Sequence, residues 1–393
     1  MSEGARPPAA LVISQSPLQR DPRVRRQMQW LAESGWIVDT LGLGERPDEA
    51  IRDHFAMHDE PRWARPVVAK GLIHTLLPYR RRFEILSRAR IPREAEDRVR
   101  SGEYGLIVFN DIHLLPWTRT DAFSDLPGST RVHLDLHEHH PPKYRRSVRG
   151  GRLANPYYAW GRAMIADPVF TSRSAVVRGI AELYQDEFAV PPLAVIRNAP
   201  ELEDLEPSAV REDRVELVHH GAAAWTRGLR EMVDAVGLLP ERFRLTLMLL
   251  GSAEVIAGVE EYAAELGDRV RILPPVPMRE IASSINAYDI EVMFFPPVTE
   301  NLRFVLPNKL FEAVQGRLAL AIGPSVMMAE LIEAYGNGTI ASGWTAEDLA
   351  DSVRNLTADD IRRMKNASAA AAQDLNAAHE GDVFRRAVGI DER

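Results

Sequence analysis

The feature that most restricts how this chain can fold is a repeated local pattern, in which a short apolar run closes on polar residues and an amphipathic stretch follows. Ala9 to Ser14 reads as a strand, and Pro22 to Ser34 as a helix ended near Gly35. Strand-like runs recur at Trp36 to Leu41, Gly105 to Phe109, Arg131 to Leu136 and Pro168 to Phe170. The last three run into Asn110 and Asp111, into His137 and Glu138, and into Thr171 and Ser172, where a parallel sheet presents its ligand-binding loops. Val190-Pro191-Pro192, a short strand from Leu193 to Ile196, then Asn198-Ala199-Pro200 and an acidic stretch mark a boundary. A second series follows, with strands at Val215 to His219, Arg244 to Leu250, Val270 to Leu273, Ile290 to Phe295 and Leu318 to Ile322. Helical segments lie between them near 228–237, 254–266, 279–286 and 308–315. The pattern predicts an α/β chain of two domains.

Composition narrows the chemistry. A chain of 393 residues, 45% of them hydrophobic, is long enough for two cores. It has no cysteine, which excludes disulfides, thiolate nucleophiles and iron–sulfur clusters and fits a reducing cytoplasm. The start of the chain lacks the basic leader of a signal peptide, and no stretch approaches the roughly 20 apolar residues that cross a bilayer. The net charge of −8 is uneven, with 29 Lys and Arg against 24 Asp and Glu in residues 1–200, and 19 against 32 in residues 201–393. That balance argues against a nucleic-acid partner, since phosphate binding needs a basic surface.

The most informative segment runs from Leu306-Pro307-Asn308-Lys309-Leu310-Phe311-Glu312 to Gly316. Pro307 at the first helical position and Gly316 as a left-handed stop predict a helix of about two turns. Free N–H groups at its start favour an anion such as a diphosphate. Glu312 lies one turn on from Asn308, on the same face, where it can accept hydrogen bonds from a ribose. An amphipathic core helix with Lys309 and Glu312 as a solvated pair would use the same residues.

The segment resembles the donor-binding helix of the family 4 glycosyltransferases, in which a Pro-x-Lys-x-x-Glu helix ends in Gly and runs into a buried strand. The resemblance extends to His219-His220-Gly221 at the close of a strand, to Trp225-Thr226-Arg227-Gly228-Leu229 and to Asn198-Ala199-Pro200 at the junction. It implies the GT-B fold, two Rossmann-like domains with parallel sheets facing a cleft. An acceptor-side domain would span residues 1–198 and a nucleotide-sugar domain residues 199–375, with a helix over 376–393 packing back on the first. It also implies transfer of a sugar from a UDP- or GDP-sugar with retention of configuration and without a metal. Arg227 and Lys309 would neutralise the donor diphosphate. Gly221, Val276, Asn308, Leu310 and Glu312 would bind the rest of the nucleotide, with Val276 beside the base. The sequence departs from the family at the first of its two paired glutamates, because the position eight before Glu312 is Phe304. Ala222 likewise stands where an arginine is common.

In the first half, Asp135-Leu136-His137-Glu138-His139-His140 crowds ionisable residues at a strand end. Its histidines lack the helical zinc spacing, and Pro141-Pro142 blocks a helix there. The run resembles the family segment whose histidine approaches the transferred sugar. That gives His137 the catalytic role, as a neutral imidazole held low in pKa by local positive charge, with Glu138 beside it. Arg20 to Gln27 resembles a family segment on the acceptor side and places Arg23 there, although arginines at 20, 23 and 26 also suit a solvated helix face. Asn110-Asp111-Ile112-His113 gives Asp111 and His113 as further acceptor-side candidates, or a loop aspartate that caps a helix. Segment 70–93 mixes leucines and aromatics with arginines and suits either peripheral contact with the inner face of a membrane or a basic cover over the domain. A glycan, a lipid-linked molecule or a small molecule would serve as acceptor. A non-catalytic scaffold of the same fold, or a sugar-nucleotide epimerase, are the rival readings.

Overall fold

The first sheet is built by β1 (Ala9–Pro17), β2 (Ile37–Leu43), β3 (His54–Ala56), β4 (Tyr104–Asn110), β5 (Arg131–Leu136), β6 (Ser172–Ala175) and β7 (Ala194–Val195). Their order across it is β3-β2-β1-β4-β5-β6-β7, every pairing parallel. The second contains β8 (Val215–Ala222), β9 (Phe243–Leu250), β10 (Val270–Leu273), β11 (Ile290–Met293), β12 (Ala319–Ile322) and β13 (Gly338–Ile340), ordered β10-β9-β8-β11-β12-β13 and again all parallel. Each sheet is therefore a doubly wound, Rossmann-like sheet whose strand order reverses beside its first strand. In such sheets ligands bind outside the carboxyl ends of the strands at that reversal, which here means the ends of β1 and β4 and of β8 and β11.

This computed structural model describes residues 7–141 and 148–390; the reading of the chain's first residues, and Pro142, lie outside them. The chain divides into two compact units, Met1–Arg197 with Gly381–Arg393, and Asn198–Glu380. Among the described residues no helix is long and apolar enough to cross a membrane.

Parallel strands covered on both faces bury both sets of side chains, and the second unit shows it in register. Along β11 and beyond, Ile290, Val292 and Phe294 belong to one core layer, while Met293 and Phe295 belong to the other, together with Val218 of β8. The helix Asn308–Gln315 covers that second face with Leu310, Phe311 and Val314. In the first unit β1 and β4 bury Ala10, Val12, Leu106 and Val108 under the helix Pro22–Glu33. The returning segment completes that layer, as Phe384 lies 5.5 Å from the Trp30 ring and Val388 and Ile390 are buried beside it.

Two sequence expectations are corrected, and two short strands are added to those read from sequence. Pro168 to Phe170 is a turn, not a strand: the Asp167 carboxylate accepts from the Val169 N–H at 3.0 Å, and β6 begins only at Ser172. The short strands β3 and β13, three residues each, carry no alternation to announce them. Segment 70–93 is not one amphipathic element, because Pro78 separates the helices Val67–Leu76 and Tyr79–Leu86. Within it Ile73, Arg82 and Phe83 are buried, and Arg88 is paired with Glu84, Glu96 and Asp121.

Candidate functional site

Parity along the strands assembles the site of the second unit. Glu291 precedes Met293 by two residues and His220 follows Val218 by two, so both point to the face that the 308–315 helix covers. His220 bridges two carboxylates there, with Nδ1 3.1 Å from Glu291 Oε2 and Nε2 2.8 Å from Glu312 Oε2. Burial disfavours its charge, but Glu291 and Glu312 outweigh burial and push its pKa up to about 9. His219, fully buried, bonds Val292 O through Nδ1 at 2.7 Å. Burial and the nearby Lys309 hold it well below the usual histidine range, so it is neutral.

Two cations converge on one ring. The Lys309 ammonium sits 5.1 Å and the Arg227 guanidinium carbon 5.9 Å from the Phe295 centroid. Lys309 is only 6% exposed, and its Nζ has no hydrogen-bond partner among the described residues. Burial lowers its pKa to about 8. Glu291 and Glu312 offset part of that cost through their charge, but an ammonium out of water with no hydrogen bond remains costly unless an anion arrives. Two glycines shape the surroundings. Gly221 has φ +127°, and a Cβ on it would meet Lys309 Nζ at 2.5 Å; Gly228, at φ +72°, ends the 3₁₀ turn of Arg227 where a Cβ would overlap the Phe294 carbonyl oxygen.

The other sequence candidates fall on both sides of this cluster. Glu312 stands 15% exposed with one carboxylate oxygen on His220. Asn308 is exposed in the first turn. Leu310 is buried in the core, and its N–H donates to Pro307 O at 3.0 Å, so it anchors the helix and offers no group at its end. Val276 follows β10, two strand positions from β8. Pro307 is the residue before the helix, not its first member. Gly316 is not left-handed, having φ −76°; Arg317 carries the positive φ of 62°. A Cβ at Gly316 would press on Ile285 at 2.8 Å, which accounts for the glycine by space. Phe304 lies between two short helices with Arg303 5.1 Å over its ring.

In the first unit the ends of β4 and β5 form a second cluster. Asp135, fully buried, takes two bonds from Arg23, Nε at 2.6 Å and Nη2 at 2.7 Å, and one each from Gln27 and Ser174 at 2.6 Å. Arg23 also donates to Ile196 O at 2.6 Å. It is therefore a buried structural residue, against the expectation that it lines an acceptor site. Asp111 adopts a left-handed backbone, φ 60°, and accepts from the His137 N–H at 3.1 Å and from His140 Nε2 at 3.2 Å. Burial opposes its charge, but His137 and His140 outweigh burial and lower its pKa to about 2. His137 Nε2 lies 2.8 Å from Asn110 Oδ1 and 3.3 Å from Asp135 Oδ2, and the side chain is 19% exposed. Burial pushes its pKa down, yet Asp111 and Asp135 prevail and raise it, so the low pKa expected for this imidazole is reversed. His113 is exposed, edge-on to His140 at 5.8 Å, and Glu138 is exposed while its carbonyl accepts from Tyr184.

Sequence reasoning gave no role to Glu291 or to His220. A glutamate inside the apolar run Ile290 to Phe295 was the available signal, because a charge on a central parallel strand demands a partner.

No protein-family model and no curated protein matches the chain. Solved structures do. A sucrose-phosphate synthase from Thermosynechococcus elongatus is 16% identical, with a TM-score of 0.67 over 98% of this chain and 100% of its own. HepE from Anabaena, in complex with UDP, is 13% identical with a TM-score of 0.66 over 98% and 99%. WaaG, a glycosyltransferase involved in lipopolysaccharide biosynthesis, is 14% identical with a TM-score of 0.61 over 97% and 100%. The chain has the GT-B fold of these glycosyltransferases.

Proposed function

We propose that the protein is a glycosyltransferase that moves a sugar from a UDP- or GDP-sugar to an acceptor, with retention of configuration and without a metal. The observation that carries this reading is Lys309, a buried ammonium with no hydrogen-bond partner among the described residues, beside Arg227 at the strand-order reversal of a GT-B unit. These two cations take the diphosphate, and fixed positive charge there stabilises the leaving group as its negative charge develops. Gly221 lets the backbone come close to it, and the N–H groups at the start of the 308–315 helix face the same anion. Glu312 takes the ribose with the oxygen that His220 leaves free, and the loop around Val276 takes the base. His220 and Glu291 act by holding Glu312. In the first unit His137 bonds the transferred sugar, and Asp111, His113 and Glu138 receive a glycan, lipid-linked or small-molecule acceptor. The UDP held by HepE makes UDP the first probe.

A thermal-shift screen with UDP-, GDP- and TDP-sugars tests the reading. One nucleotide class is expected to raise Tm, and turnover with an acceptor is expected to survive EDTA. No shift with any nucleotide overturns the donor site, loss of activity to EDTA with rescue by Mn²⁺ overturns the metal-free course, and conversion of the donor with no acceptor present marks an epimerase.

Lys309 adds a pH dependence. Its folded pKa, about 8, lies below the ordinary 10.5, so burial penalises the charged form at low pH and the penalty disappears as pH rises from 8 toward 10.5. A bound diphosphate favours the ammonium and raises that pKa. Nucleotide affinity is therefore expected to fall above pH 8 by up to about tenfold per pH unit, with proton uptake on binding. Calorimetry in buffers of different ionisation heat reads the proton, and Lys309→Arg, which stays charged, is expected to flatten the profile.

A further inference from the structure

The helix Val67–Leu76 in the first unit is amphipathic the wrong way round for a helix facing water. Its outward arc consists of the exposed Val67, Val68, Leu72, Thr75 and Leu76 around a half-buried Gly71, without a single charge. Val67 is 86% and Leu76 70% exposed. Its polar residues are spent inward or sideways: Lys70 pairs with Glu60 at 2.9 Å, and His74 packs edge-on to Tyr157 at 5.8 Å. Trp63, just before the helix, is 60% exposed as well. Contiguous apolar surface on an outer face marks something that covers it.

The charges around this face say what. Arg62 stands beside Trp63 at one end, and Arg80 and Arg81 lie beyond the other, all three exposed and without an ion pair among the described residues. Two copies of the chain meeting through this face would bring arginine rims together, and a ten-residue helix is short of the roughly 800 Å² per partner that a stable dimer buries. A bilayer with anionic headgroups answers both features, since the apolar arc enters the headgroup boundary and the guanidinium groups pair with lipid phosphates.

We propose that the 63–81 region is a docking surface for an anionic membrane, which holds the first unit at the bilayer where a lipid-borne acceptor would be met. The surface differs from the basic segment 70–93 read from sequence, because Arg82 and Arg88 are occupied internally and Trp63, Val67 and Val68 lie upstream. All of its residues belong to the first unit.

The test is sedimentation of the full chain with phosphatidylcholine vesicles, with and without phosphatidylglycerol. Binding is expected only to the phosphatidylglycerol vesicles and is expected to weaken with salt. Leu72→Asp/Leu76→Asp should reduce it by on the order of tenfold or more, and Arg80→Glu/Arg81→Glu should remove its salt dependence. Both variants change exposed residues, and an unchanged Tm and nucleotide shift show that each is folded. Absence of binding to phosphatidylglycerol vesicles overturns the proposal, as does equal binding by the aspartate variant. A wild-type dimer that the aspartate variant converts to monomer overturns it too and assigns the face to a second copy.

Discussion

Glu312→Ala is expected to weaken nucleotide binding by about 10- to 100-fold while the protein stays folded. A hydrogen bond to a charged group contributes about 1.5–3 kcal/mol, and each 1.4 kcal/mol is a factor of ten. The fold survives because Glu312 lies outside the core layer, with Leu310, Phe311 and Val314 holding its helix to the sheet. His220 keeps Glu291 as a partner when Glu312 is removed. Glu312→Gln, which can still accept from His220, separates position from charge and is expected to lose less. Titration calorimetry with UDP and GDP measures both, and unchanged affinity in the alanine variant would end the ribose assignment.

The second large effect is on stability. Asp135→Ala strips Arg23 of its bidentate carboxylate partner and leaves a buried guanidinium that keeps the Ile196 carbonyl but loses its counter-charge, together with Gln27 and Ser174 donors that lose their acceptor. Breaking a buried pair from one side costs about 3–5 kcal/mol, which for a unit of this size is on the order of 10 °C in Tm. Removing both charges, as Arg23→Met/Asp135→Leu, is expected to recover much of the loss. If Asp135→Ala melts with wild-type Tm, the network is dispensable and Arg23 returns as a candidate for the acceptor side.

Both predictions show where the sequence was legible. Arg227 ahead of Gly228 rests on the family resemblance, whereas the strand–helix alternation and the 308–315 helix follow from local rules, in which a period, a cap or a turn residue acts on its neighbours. They were read from the chain directly. Arg23 and Asp135 are 112 residues apart, and His220 and Glu291 are 71 apart. Nothing in the wording around either shows that parallel register will place them face to face. The same reason inverted the pKa of His137: positive charge was expected beside it, but Arg23 is paired with Asp135 and the histidine meets the field of two carboxylates. Gly316 was misread for a different reason, since a glycine after a helix can mark a left-handed turn or a lack of room, and only the position of Ile285 tells them apart.

The return of Gly381–Arg393 to the first unit has a consequence for biosynthesis. Phe384, fully buried, packs on Trp30 and lies edge-on to His133, so both wait for a residue that is made only after Asn198–Glu380. All of Asn198–Glu380 leaves the ribosome before that partner does. Units usually fold in order of emergence, but here the second can mature while the first still exposes the Trp30 face. The first unit can thus close over Trp30 only once Gly381–Arg393 has been made, after the whole of the second.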